Sequence, residues 1–125
     1  MLIQRCLTAG AVLALLPVWA TGVYAHDGTG HRGGRVADAG PYHIELVTKD
    51  RTVEVYVYDA KEKAVAPAGF KGTAILVVGG KPARVTLTPA EARLTGEAEV
   101  PVGTSPKGLV QITGPDGAAA SGRFN

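Results

Sequence analysis

Thr52-Val53-Glu54-Val55-Tyr56-Val57-Tyr58 is the stretch that decides the fold. Val53, Val55 and Val57 fall on one face of an extended chain, and Glu54, Tyr56 and Tyr58 on the other. β-branched and aromatic residues suit a pleated surface buried on one side. Just upstream, His43-Ile44-Glu45-Leu46-Val47 alternates in the same way, with Ile44 and Leu46 inward and His43 and Glu45 outward. Lys49-Asp50-Arg51 between them reads as a turn. If the two strands pair as a hairpin, Tyr56 and Tyr58 border His43, although ordinary cross-strand packing is the plainer reading of two tyrosines on one face.

Downstream the pattern continues in short pieces. Asp59 to Gly69 carries charges and two prolines and reads as a long connection. Thr73 to Val78 is a continuous apolar run, short enough for a buried strand. Gly79-Gly80 is a hairpin signal before Ala83 to Thr88, where Val85 and Leu87 alternate with Arg84 and Thr86. Pro89 to Ala92 has room for one helical turn. Leu94 and Ala98 to Val100 read as two short strands around Gly96. Leu109 to Thr113 and Ala118 to Phe124 flank Gly114-Pro115-Asp116-Gly117, where proline presets φ and glycine accepts positive φ. Seven or eight short strands without a sustained helical period predict an all-β fold, an antiparallel immunoglobulin-like β-sandwich. The Cys-Trp-Cys hallmark of antibody domains is absent, since Trp19 and Cys6 both lie near the start of the chain.

Residues 1–25 read as an export signal. Arg5 supplies the positive charge, Leu7 to Val18 the apolar run, and Val23-Tyr24-Ala25 small residues at the −3 and −1 positions. Val18-Trp19-Ala20 satisfies the same rule. A cut after Ala25 is favoured because it leaves a polar region after Pro17. The run is shorter than the roughly 20 residues of a membrane span, so the mature chain is not expected to insert. Cys6 precedes the run, whereas a lipidated cysteine would follow it. Residues 26–40 form a Gly-rich leader, flexible or holding an irregular first strand around Arg35-Val36, and 41–125 the β domain.

Cleavage after Ala25 leaves 100 residues, enough for one core. Thirteen lysines and arginines less Arg5 leave twelve, against eleven acidic residues. These charges are scattered singly, which speaks against a nucleic-acid groove. The only cysteine and the only methionine are Cys6 and Met1, so thiolate and thioether sites are excluded from the mature chain. Ser105 and Ser121 lie outside any G-x-S-x-G context. The glycines at 28, 30, 33 and 34 lack the Lys-Ser/Thr of a phosphate loop. Glu97 and Glu99 read as a solvated face. No enzyme is expected.

Gly33-Gly34-Arg35-Val36, Gly40-Pro41-Tyr42-His43-Ile44-Glu45-Leu46-Val47 and Val53-Glu54-Val55-Tyr56-Val57-Tyr58-Asp59 carry a resemblance. The chain resembles small exported β-sandwich domains that accompany heavy-metal efflux systems. Such domains occur alone or attached to periplasmic adaptor proteins of resistance-nodulation-division pumps. The similarity covers about residues 31–124, continuing through Gly72, Leu87, Leu94 and Phe124. It differs where Arg32 separates His31 from Gly33. The resemblance implies a periplasmic or secreted location, a sandwich fold and a metal-efflux pump component as partner.

Histidines supply the candidate chemistry. With His26 as first residue, its amine and Nδ1 would close a six-membered chelate. The amine, with a pKa of about 8, yields its proton readily to a metal. His31 or His43 would add an imidazole, and Asp27 an oxygen. Tetragonal nitrogen coordination favours Cu(II). Zn(II) with three imidazoles and a carboxylate or water is also compatible. Glu45, beside His43 on one strand face, would act as a weak ligand or orient its ring. A Gly-rich tail with unspecialised histidines fits the same residues. Two functions follow: a non-enzymatic accessory protein binding copper or zinc, or a metal-free module that docks a partner on an exposed sheet edge.

Overall fold

The computed structural model describes residues 30–125. The expected signal peptide, His26 and Asp27 lie outside the described residues. Eight strands follow in chain order: β1 (Arg35–Ala39), β2 (Tyr42–Lys49), β3 (Thr52–Tyr58), β4 (Lys71–Val78), β5 (Lys81–Ala90), β6 (Arg93–Glu97), β7 (Lys107–Thr113) and β8 (Ala119–Phe124). All neighbours are antiparallel, and no helix occurs among the described residues. The strands make one sheet in the order β1-β2-β3-β6-β5-β4-β7-β8. The sheet curls until its two edges nearly meet. A Cβ added to Gly122 of β8 would stand 3.1 Å from the Asp38 carbonyl oxygen of β1.

Period two writes the core. Ile44 and Leu46, Val53, Val55 and Val57, Ala74 and Leu76, Val85 and Leu87, Leu94, and Val110 and Ile112 all point inward and are buried. Burying such side chains contributes about 1.5–3 kcal/mol each before the entropy of ordering them is charged. Two long connections also enter the core. Phe70, from the link between β3 and β4, packs edge-on against Tyr42 with ring centroids 5.6 Å apart. Ala98 and Val102, from the link between β6 and β7, hook back by donating their N–H groups to the carbonyls of Arg51 and Asp50 at 2.7 and 2.8 Å.

Three local expectations change. Thr73 to Val78 reads as a continuous apolar run, yet only Ala74 and Leu76 are fully buried, Val78 packs against the core half-buried, and Val77 is 47% exposed because no described residue covers the outer face there. Pro89-Ala90 continues β5 instead of opening a helical turn. By Thr88, β5 has left β4 and is flanked by β6 alone, so the missing N–H of Pro89 costs no bond on the open side. Ala98 to Val100 is irregular, since the chain there must cross to β7. The first strand starts at Arg35, where the irregular strand was one of the two readings of the leader.

Candidate functional site

The site lies on the outer face of β1, β2 and β3. Two tight hairpins set its register. The β1–β2 loop is Gly40-Pro41, with Gly40 at φ 58°. Proline cannot follow it into positive φ, so the turn is the II′ kind, with glycine at its first central position. This pairs Asp38 with His43. The β2–β3 turn pairs His43 with Tyr58 and Glu45 with Tyr56. His43 and Tyr58 are therefore cross-strand neighbours, as the hairpin reading required.

Asp38 Oδ1 stands 2.7 Å from His43 Nδ1. His43 is partly exposed and Asp38 more so. A carboxylate on one imidazole nitrogen fixes the ring's direction. Sequence reasoning assigned this orienting role to Glu45 and missed Asp38. The signal for Asp38 was the Gly40-Pro41 turn, which counts back to it.

Glu45 occupies a different environment. It is the one charged side chain wholly buried among the described residues, at 0% exposure. The cover is the segment 30–34, which folds over β2 as a turn closed by Gly30 N–H to the Gly34 carbonyl (2.8 Å) and Gly33 N–H to the Gly30 carbonyl (3.1 Å). Glu45 Oε2 accepts from the N–H groups of Arg32 (2.9 Å) and Gly34 (2.8 Å). Oε1 accepts from the Tyr58 hydroxyl at 3.1 Å. Both oxygens are thereby engaged, so the carboxylate is a poor candidate ligand.

The same segment places His31 and Arg32 on the tyrosines. The His31 ring lies 5.2 Å from that of Tyr58, tilted by 50°. The Arg32 guanidinium carbon sits 4.4 Å from the Tyr56 ring centroid, a cation–π contact. The Tyr56 hydroxyl donates to Glu54 Oε2 at 3.1 Å, and Glu54 Oε1 lies 3.2 Å from Arg93 Nε. That Arg93 nitrogen is buried without an aligned hydrogen bond, so the Arg93–Glu54 contact acts as charge on charge. Burial, then the bond to Glu45, raises the Tyr58 phenol above its ordinary pKa. Burial, then Glu54, does the same to Tyr56.

Of the expected metal ligands, His31 packs on the ring of Tyr58, and His43 is the cross-strand partner of the same residue. Among the described residues no three histidine, cysteine or carboxylate side chains cluster closely enough to hold a metal ion. Of the expected donors the described residues supply His31 and His43, the latter oriented by Asp38, while His26 and Asp27 lie outside them. Glu97 and Glu99 are exposed. Bordering the site at Asp38, a cleft of about 430 Å³ opens between β1 and β8, lined by Arg35 to Asp38 on one side and Arg123 to Asn125 on the other.

No protein-family model matches the chain, and neither a curated protein nor a solved structure matches it.

Proposed function

We propose that this protein is an exported, non-enzymatic accessory protein that binds Cu(II) or Zn(II), in a metal-efflux or resistance setting in the periplasm or outside the cell. The observation that carries this reading is the Asp38–His43 pair at 2.7 Å, standing beside the tyrosine that also holds His31. An oriented imidazole and a second one that share Tyr58 as neighbour would be the beginning of a nitrogen site, and a terminal His26 chelate would complete it. No thiolate or thioether competes, since Cys6 and Met1 belong to the signal. The immunoglobulin-like sandwich belongs to the same proposal. It is supported by β5, which turns from β4 to β6, and by the single core that strands on both sides of this corner share.

Calorimetric titration of the mature chain with Cu(II) and Zn(II) tests this. Sub-micromolar binding is expected. It should weaken in His26→Ala, His31→Ala and His43→Ala, and by about tenfold in Asp38→Ala, the usual loss when the group behind a ligand is removed. Binding no tighter than to a His-poor control of similar charge overturns the proposal. The second reading, a metal-free docking module, is favoured by one feature: the cleft between β1 and β8 lies between two strands that each have one strand partner among the described residues. A partner bound there with unchanged affinity in the histidine variants would support it.

A further inference from the structure

We propose that Glu45 is the positioning residue of the histidine-bearing leader: its buried carboxylate anchors residues 30–34 to the sheet and thereby sets His31 against Tyr58. The purpose of that placement rests on the metal-binding reading above, but the placement itself does not.

An ionised carboxylate is expensive to bury unless charge-assisted hydrogen bonds replace its water. Glu45 lies on the outer face of β2, where the alternation of the strand points it away from the core. Among the described residues, the 30–34 segment closes over it, with Tyr58 beside it. Its two backbone donors, Arg32 and Gly34, come from that segment, and the third, Tyr58, is the residue against which His31 packs. The carboxylate is therefore tied at once to the leader and to the ring that receives the leader's histidine. His31 directly precedes one anchored amide, so its backbone is held to the sheet while that bond holds.

Sterics at both ends of the segment agree. A Cβ on Gly30 would overlap Glu45 Cδ, and one on Gly34 would stand 2.5 Å from the Leu46 carbonyl oxygen and 2.9 Å from Glu45 Cγ. The leader approaches as closely as backbone can, and glycine at these two positions is what permits it. Arg32 adds a second grip through Tyr56. Docking holds an otherwise free arm in one geometry, and apparent affinity for a ligand scales with the fraction of molecules so arranged. By linkage, a metal bound to His31 and the sheet would in turn tighten the docked segment.

NMR of the metal-free chain tests the placement. The Arg32 and Gly34 amides should be protected from exchange, and the His31 Hε1 signal displaced by the Tyr58 ring. In Glu45→Leu both amides lose their acceptor. Their protection should vanish and His31 should move to its unstructured position, while core amides such as Val55 and Val110 keep their shifts. Glu45→Gln retains an acceptor oxygen and should restore most of the wild-type pattern. Gly30→Ala breaks the docking from the other side without touching the core, and serves if Glu45→Leu fails to fold. Unchanged His31 and amide signals in Glu45→Leu, or in Gly30→Ala, overturn the proposal. Zinc titration of the same variants separates the two ideas. About tenfold weaker binding is expected in Glu45→Leu and near wild-type binding in Glu45→Gln. Equal affinity in wild type and Glu45→Leu ends the positioning role. If the wild type binds neither zinc nor copper, the metal-binding reading fails and the NMR result alone decides the role of Glu45.

Discussion

Tyr56 and Asp59 lie three positions apart and act at opposite ends of the pH scale. The Tyr56 phenol is raised above 10 by burial and by its bond to Glu54. The folded chain holds that proton more tightly than the unfolded chain does. Its contribution is therefore present below the unfolded pKa, about 10, and is lost as pH rises through the folded value. Asp59 is the converse. The N–H of Lys63 at 3.0 Å and that of Lys61 at 2.8 Å donate to its Oδ1 and lower its pKa below 3.8. Its contribution is present above the unfolded value and fades as pH falls through the folded one. Urea midpoints across pH should show the wild-type advantage over Tyr56→Phe shrinking above pH 10, and that over Asp59→Asn shrinking below about pH 4. A gap that stays constant with pH would contradict either assignment. At this scale much of the site was legible: period two put His43, Glu45, Tyr56 and Tyr58 on one face. The burial of Glu45 was not, because its cover comes from a segment with no apolar pattern, held by backbone amides that look alike in every sequence.

Strands and turns were legible where local rules act. β3 runs over Thr52–Tyr58 as the valine alternation requires, and Gly79-Gly80, with φ of 57° and 78°, closes the β4–β5 hairpin. Elements whose limits depend on a distant partner were not. β5 extends through Pro89 only because β6 returns along it, and Ala98 to Val100 loses its strand only because the chain must cross to β7. The corner where β5 changes partners offers a test. Gly96 of β6 lies so close to the Thr86 carbonyl of β5 that a Cβ there would overlap its oxygen and stand 2.8 Å from Val85 Cγ1. Gly96→Ala must therefore push β6 off β5. Overpacking of this kind costs about 1–3 kcal/mol, read as a lower denaturant midpoint with an unchanged m-value. Gly79→Ala and Gly80→Ala meet no neighbour and should lose only what positive φ costs a side chain, about 1–2 kcal/mol. If Gly96→Ala is as stable as wild type, the corner does not have the close approach described.

For the molecule as a whole, the question is what keeps a sheet with two free edges curled. Seven ladders join the eight strands, and none joins β8 to β1. At one end of that seam small residues let the backbones touch: a Cβ on Gly40 would lie 3.0 Å from that of Ala120. At the other end a single side chain bridges the gap. Arg35, the first residue of β1, donates from Nη1 to the Pro106 carbonyl at 2.7 Å and from Nη2 to the Asn125 carbonyl, with its guanidinium carbon 5.7 Å from the Phe124 ring centroid. A planar fork can grip two carbonyls at once, which a lysine ammonium on one flexible stem does less well. Arg35→Ala is expected to lower stability by about 1–2 kcal/mol, with Arg35→Lys in between. The location of the loss matters more than its size. If Arg35 is the clip of the seam, amide exchange should quicken first in β8 and β1, while β3 and β6, held on both sides, stay protected up to global unfolding. Faster exchange spread evenly over all eight strands would mean that core packing alone keeps the edges together.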